Sequence, residues 1–133
     1  MPLNNPKPAT PEAQALLKAA QRDWKTVEVL VRAPDSPVPS VGFHAQQYVE
    51  KVIKAVLVSN GIVFRRTHDL GELMELLDQQ GIVLPMPKDK LIRLNPFAAT
   101  LRYQDVEFPS IETDEVLEII EMTCVWLKEQ LCA

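Results

Sequence analysis

Apolar residues recur every three to four positions along most of this chain, and prolines divide the pattern into five segments. Ala13, Leu16, Leu17, Ala20, Trp24, Val27 and Val31 form the first stripe. That spacing predicts a helix with one buried face. Thr10-Pro11 gives it a capping residue followed by proline in the first helical position, where a missing N–H costs nothing. Pro34, Pro37 and Pro39 are expected to end it in a stiff linker.

The second stripe, Ala45, Val49, Val52, Ile53, Val56 and Leu57, predicts a helix over 40–59. β-Branched residues are frequent there, so periodicity rather than propensity decides for helix. Asn60-Gly61 suits a left-handed C-terminal cap. Asp69 and Glu72 have the spacing of a capping box for a third helix burying Leu70, Leu73, Leu76 and Leu77, stopped by Gly81. Leu91, Leu94, Ala98 and Leu101 predict a fourth, with a kink or break near Asn95 caused by Pro96. The fifth, over 113–131, is expected to bury Val116, Ile119, Ile120, Thr123 and Leu127. Met122 and Trp126 widen its apolar face into a possible partner surface. The fold class is therefore all-α: an up-and-down bundle of four to five helices with short, antiparallel connections. Residues 1–10 are expected to be a flexible segment and 11–133 one domain.

Composition agrees with this reading. Four glycines and 6% aromatic residues leave little material for a β-sandwich, and 133 residues suffice for one core but not two. The proline-bearing N-terminus has no apolar run, and no stretch is long enough to span a bilayer, so a cytoplasmic protein without membrane contact is expected. Cys124 and Cys132, eight apart on one helix, would stand roughly 12 Å apart, so both are read as free thiols. A net charge of −4 gives no general attraction for nucleic acid. The charge is uneven, however: Lys51, Lys54, Arg65 and Arg66 make the middle basic, and the C-terminal third is acidic.

Candidate chemistry falls in that basic middle. His44, Gln47 and Lys51 share one polar strip at helical spacing, with Lys54 beside it, and such a strip can hold an anion. Arg65, Arg66 and His68 precede a helix start, where cationic side chains and free backbone N–H groups suit a phosphate. Each set also has a purely structural explanation, as a buried polar network or a capped junction. No glycine-rich phosphate loop, nucleophile elbow or pair of metal-spaced histidines is present, so no metal or cofactor is expected.

The stretch Phe43-His44-Ala45-Gln46-Gln47-Tyr48-Val49-Glu50-Lys51-Val52-Ile53-Lys54-Ala55-Val56-Leu57, then Gly61 and Thr67-His68-Asp69-Leu70, closely resembles the HEPN family. Leu101-Arg102-Tyr103 looks like that family's later RY element, with Gln104 where proline usually follows. The resemblance spans roughly residues 11–131. It implies a helical bundle, commonly a homodimer, often paired with a nucleotidyltransferase-type partner in toxin–antitoxin systems. Active members are metal-independent ribonucleases using an arginine and a histidine four to six residues apart. That motif is absent: Pro37 to Pro39 precede His44 at the required distance and Gly61 to Val63 precede His68. No catalytic set is complete in sequence, and His44 and Arg102 are the candidates that remain. The leading expectation is a nucleotide- or RNA-binding and partner-binding module using His44, Gln47, Lys51, Lys54, Arg65, Arg66, His68 and Arg102. The alternatives are a ribonuclease toxin with a rearranged Arg/His site and a purely structural interaction domain.

Overall fold

The computed structural model of the protein describes residues 6–99 and 111–132. Its elements run β1 (Lys7–Pro8), α1 (Pro11–Arg32), α2 (Val38–Ser59), α3 (Leu70–Gln79), α4 (Lys88–Ile92), a 3₁₀ segment (Asn95–Ala99), α5 (Thr113–Gln130) and β2 (Leu131–Cys132). This is the all-α bundle expected.

Local chemistry sets the helix ends. The Thr10 side chain accepts a hydrogen bond from the Ala13 N–H at 3.2 Å, satisfying one of the free donors at the start of α1. α2 begins at Val38, two residues before the expected start, so Pro39 lies within its first turn rather than in the linker. Proline is tolerated there because first-turn N–H groups have no helical acceptor. The two glycine stops share one geometry. Gly61 and Gly81 both have φ of +71°, which residues with a Cβ rarely adopt. Ile62 N–H donates to the Leu57 carbonyl and Ile82 N–H to that of Leu77, each at 3.0 Å, closing both helices in a Schellman motif.

Two expectations need correction. The capping box does not form: Asp69 caps α3 through the Gly71 N–H at 2.9 Å, while Glu72 turns away to Arg65. The Asp69 N–H instead donates to Thr67 Oγ1. The fourth helix ends earlier than expected, at Ile92, and the chain continues from Asn95, just before Pro96, as a 3₁₀ turn. Its period is three residues rather than 3.6, so Leu91, Leu94 and Phe97 face the core, and Ala98 is only half-buried. Leu101 lies outside the described residues.

α2 is the central element, with twelve of its 22 residues buried against α1, α3, α5 and the 3₁₀ segment. The Phe97 ring rests directly on the α2 backbone at Gly42, where a Cβ would stand 2.4 Å from a ring carbon. On α5, Val116, Ile119, Ile120 and Thr123 are buried and Leu127 is half-buried. Trp126 is also core, with its indole N–H donating to the Val83 carbonyl at 2.9 Å, and so does not belong to a partner surface. Cys124 and Cys132 are both free thiols. β1 pairs in parallel with β2, Lys7 opposite Leu131, bringing residues before α1 against those after α5.

Tyr48 is buried beside Trp24 and Cys124. Burial first, then the charge and hydrogen bond of Cys124, push its phenol well above the usual tyrosine range. Above about pH 10 the unfolded chain therefore loses a proton that the folded chain keeps, and stability falls as pH rises. Urea denaturation on either side of that pH should show the fall, and Tyr48→Phe should reduce it. An identical slope in the variant would mean that Tyr48 ionises freely in the fold.

Candidate phosphate site on the second helix

Four cationic or imidazole side chains gather on two buried carboxylates. Asp23 lies on the apolar face of α1, with Ala20 and Val27 one turn to either side, and is 7% exposed. One of its oxygens meets His44 Nδ1 at 2.9 Å and the other accepts from Lys51 Nζ at 2.5 Å. Glu50, on α2, is 3% exposed. It accepts from Lys54 Nζ at 3.0 Å, and His68 Nδ1 lies 3.1 Å from both of its oxygens. The result is one pattern used twice: a carboxylate, a histidine and a lysine.

Gln46, fully buried, secures the second set. Its amide donates to Glu50 Oε1 and to the His68 backbone carbonyl, both at 3.0 Å, and its own oxygen accepts from Gln47 at 2.7 Å. Lys54 also lies 5.8 Å from the Phe64 ring centroid, within cation–π range. Among the described residues no buried side-chain nitrogen or oxygen lacks a hydrogen-bond partner.

These contacts determine what the imidazoles can do. An ionised carboxylate only accepts hydrogen bonds, so Nδ1 of His44 and of His68 must carry a proton. Each Nε2 is then available as an acceptor or, once protonated, as a donor, in an orientation fixed by the carboxylate. With neutral imidazoles the two lysines balance the two carboxylates. Protonation of both rings makes the group positive and suited to an anion.

The expected site residues thus divide. His44 and Lys51 come together on Asp23, where α1 meets α2, and Lys54 and His68 come together on Glu50, beside the junction before α3; Gln47 joins the second set through Gln46. Arg65 is instead held in a two-point ion pair by Glu72, both contacts at 2.7 Å. Arg66 is exposed and makes no ion pair among the described residues. The start of α3 offers fewer free donors than the sequence suggests, since Asp69 takes the Gly71 N–H and Asn95 Oδ1 takes that of Leu70. Arg102 lies outside the described residues. The described residues contain no group of three His, Cys, Asp or Glu placed to hold a metal ion.

Sequence reasoning missed the anchors Asp23, Glu50 and Gln46. Asp23 had a signal, being a charged residue inside an apolar stripe, which burial permits only with a partner. Glu50 had a weaker one in its four-residue spacing to Lys54.

The fold is thus a helical bundle built round α2, with carboxylate-held histidines on that helix and on the junction that follows. The chain belongs to the HEPN domain family, whose model matches residues 13–130. It is 36% identical over 84 residues to a Methanocaldococcus jannaschii protein named "Putative toxin MJ1304". That similarity covers 63% of this chain and 53% of the relative, so the chain matches about half the relative's length. No solved structure matches. No helix among the described residues is long and apolar enough to cross a membrane.

Proposed function

We propose that this HEPN protein is one half of a toxin–antitoxin pair and binds the phosphate of a nucleotide or RNA on its second helix. The observation that carries the reading is the doubled arrangement of His44 and Lys51 on Asp23 and of His68 and Lys54 on Glu50. The name of the archaeal relative supports the toxin–antitoxin setting, and the family resemblance supports a homodimer and a nucleotidyltransferase-type partner. A phosphate oxygen accepts from Nε2–H of a protonated imidazole and from a lysine N–H not directed at the carboxylate. The carboxylates keep those donors oriented.

The same geometry favours one second reading, a metal-independent ribonuclease with a rearranged site. An Nε2 oriented as a base takes the proton of a ribose 2′-hydroxyl as that oxygen attacks phosphorus. The departing 5′-oxygen takes a proton from water, leaving a cyclic phosphate, and Arg102 is the cation this reading assigns to the charge that develops on phosphorus.

One pair of measurements separates the readings: RNA cleavage in chelator, and melting temperature against nucleotide concentration, each with wild type, His44→Ala, Lys51→Ala and Arg102→Ala. The binding reading expects no cleavage and stabilisation by nucleotide, about 2.7 kcal/mol at a hundred times Kd, lost in Lys51→Ala. Cleavage that disappears in His44→Ala or Arg102→Ala moves the ribonuclease to first place. Neither cleavage nor a melting shift sinks both and leaves a structural interaction domain.

A further inference from the structure

A second concavity borders this site. A cleft of about 550 Å³ opens between α1, α2 and α5, with Trp24 and Tyr48 as its aromatic wall and Cys124 in its lining. The two rings lie 6.3 Å apart between centroids and are tilted by 48°. Tyr48 is buried, whereas Trp24 is only half-buried. The rim is polar: the side chains of Gln21, Glu121 and Lys128 are exposed there and make no hydrogen bond or ion pair among the described residues. Neither the phosphate reading nor the core makes use of this cleft.

Its position connects it to the charged strip. His44, Tyr48 and Lys51 follow one another on α2 at spacings of four and three residues, so they occupy one side of that helix. Trp24 directly follows Asp23, which holds His44 and Lys51. We infer that the cleft receives one unstacked nucleobase of the ligand whose phosphate lies on the second helix. The inference rests on the phosphate reading for the nature of that ligand.

The volume lies within the range of small-molecule sites, which are apolar clefts with a few placed polar groups. A flat heterocycle uses the exposed part of Trp24 as a stacking surface, as splayed-out bases do on aromatic side chains. Its edge groups match the rim: Glu121 accepts from ring and amino N–H groups, and the Gln21 amide both donates and accepts. An aliphatic ligand would leave those three polar side chains unused. Guanine, with two adjacent N–H donors, suits the carboxylate best.

Cys124 provides the reporter. The full chain is treated with iodoacetamide, and alkylation of Cys124 and Cys132 is followed separately by peptide mass spectrometry. Guanosine at ten times its Kd should slow Cys124 roughly tenfold and leave Cys132 unchanged, since only about a tenth of the clefts remain empty. Glu121→Ala and Gln21→Ala, both at exposed positions, should weaken that protection without altering the fold. Ribose 5-phosphate should leave Cys124 unprotected while shifting the histidine resonances of wild type but not those of Lys51→Ala. Guanosine protection without that shift keeps the cleft and removes the phosphate reading. Cys124 alkylation unchanged by guanosine and by adenosine up to their solubility overturns the inference, whatever ribose 5-phosphate does.

Discussion

Glu50→Ala is expected to lower the free energy of unfolding by about 3–5 kcal/mol, the usual consequence of removing one partner from a buried charge pair. The carboxylate side chain is 4% exposed and its lysine, Lys54, 13% exposed. Without Glu50 an ammonium group is left nearly dry, and the fully buried Gln46 amide loses one of its acceptors. His68 contributes less to the loss, since its side chain is 64% exposed and can turn to water. Urea denaturation measures the change. A loss below about 1 kcal/mol would show that Lys54 reaches solvent easily and that the pair does not hold the junction before α3. The double variant Glu50→Leu/Lys54→Met should recover most of the stability, because it removes both charges together. It should not recover the orientation of His68, so stability and ligand binding would separate in that protein.

Gly42→Ala should destabilise by about 1–3 kcal/mol, in the range for overpacking a well-filled core. The added methyl would meet three Phe97 ring carbons at 2.4 to 2.8 Å. Phe97 is fully buried, so the ring has no open space to move into. An opposing effect exists: alanine is the better helix former by about 1 kcal/mol. Overlap below 3 Å with a confined ring outweighs it. Phe97→Leu in the same chain should relieve the clash, and a double-mutant cycle should show strong coupling between the two positions. A Gly42→Ala protein more stable than wild type would place the Phe97 ring elsewhere.

Helices α1, α2, α3 and α5 were legible in the sequence because their signals are local. Thr10-Pro11, Asn60-Gly61 and Gly81 act on the backbone within a few residues, and the apolar stripes need only a constant period. The fourth segment was harder to read because its period changes at Pro96, which moves the inward position from Ala98 to Phe97. Pro39 misled for a related reason, since proline looks the same in a linker and in the first turn of a helix. In the candidate site, His44, Lys51 and Lys54 could be placed together from spacing on one helix. Their anchoring could not: Asp23 is 21 residues before His44, and Glu50 is 18 before His68. Such pairings depend on how α1 and the junction before α3 pack on α2. Trp126 shows the same limit, because its buried indole depends on a carbonyl 43 residues away.

The order of the elements along the chain has a consequence for synthesis on the ribosome. Asp23, His44, Glu50, Lys51, Lys54 and His68 all lie on α1, α2 and the junction that follows, whose connections are short. These loops can close while α5 is still being made, and early local contacts form fastest. The charged strip can therefore be in place on the nascent chain before Trp24 and Tyr48 have Cys124 opposite them. The aromatic cleft, like the pairing of Lys7 with Leu131, waits for the last helix to emerge.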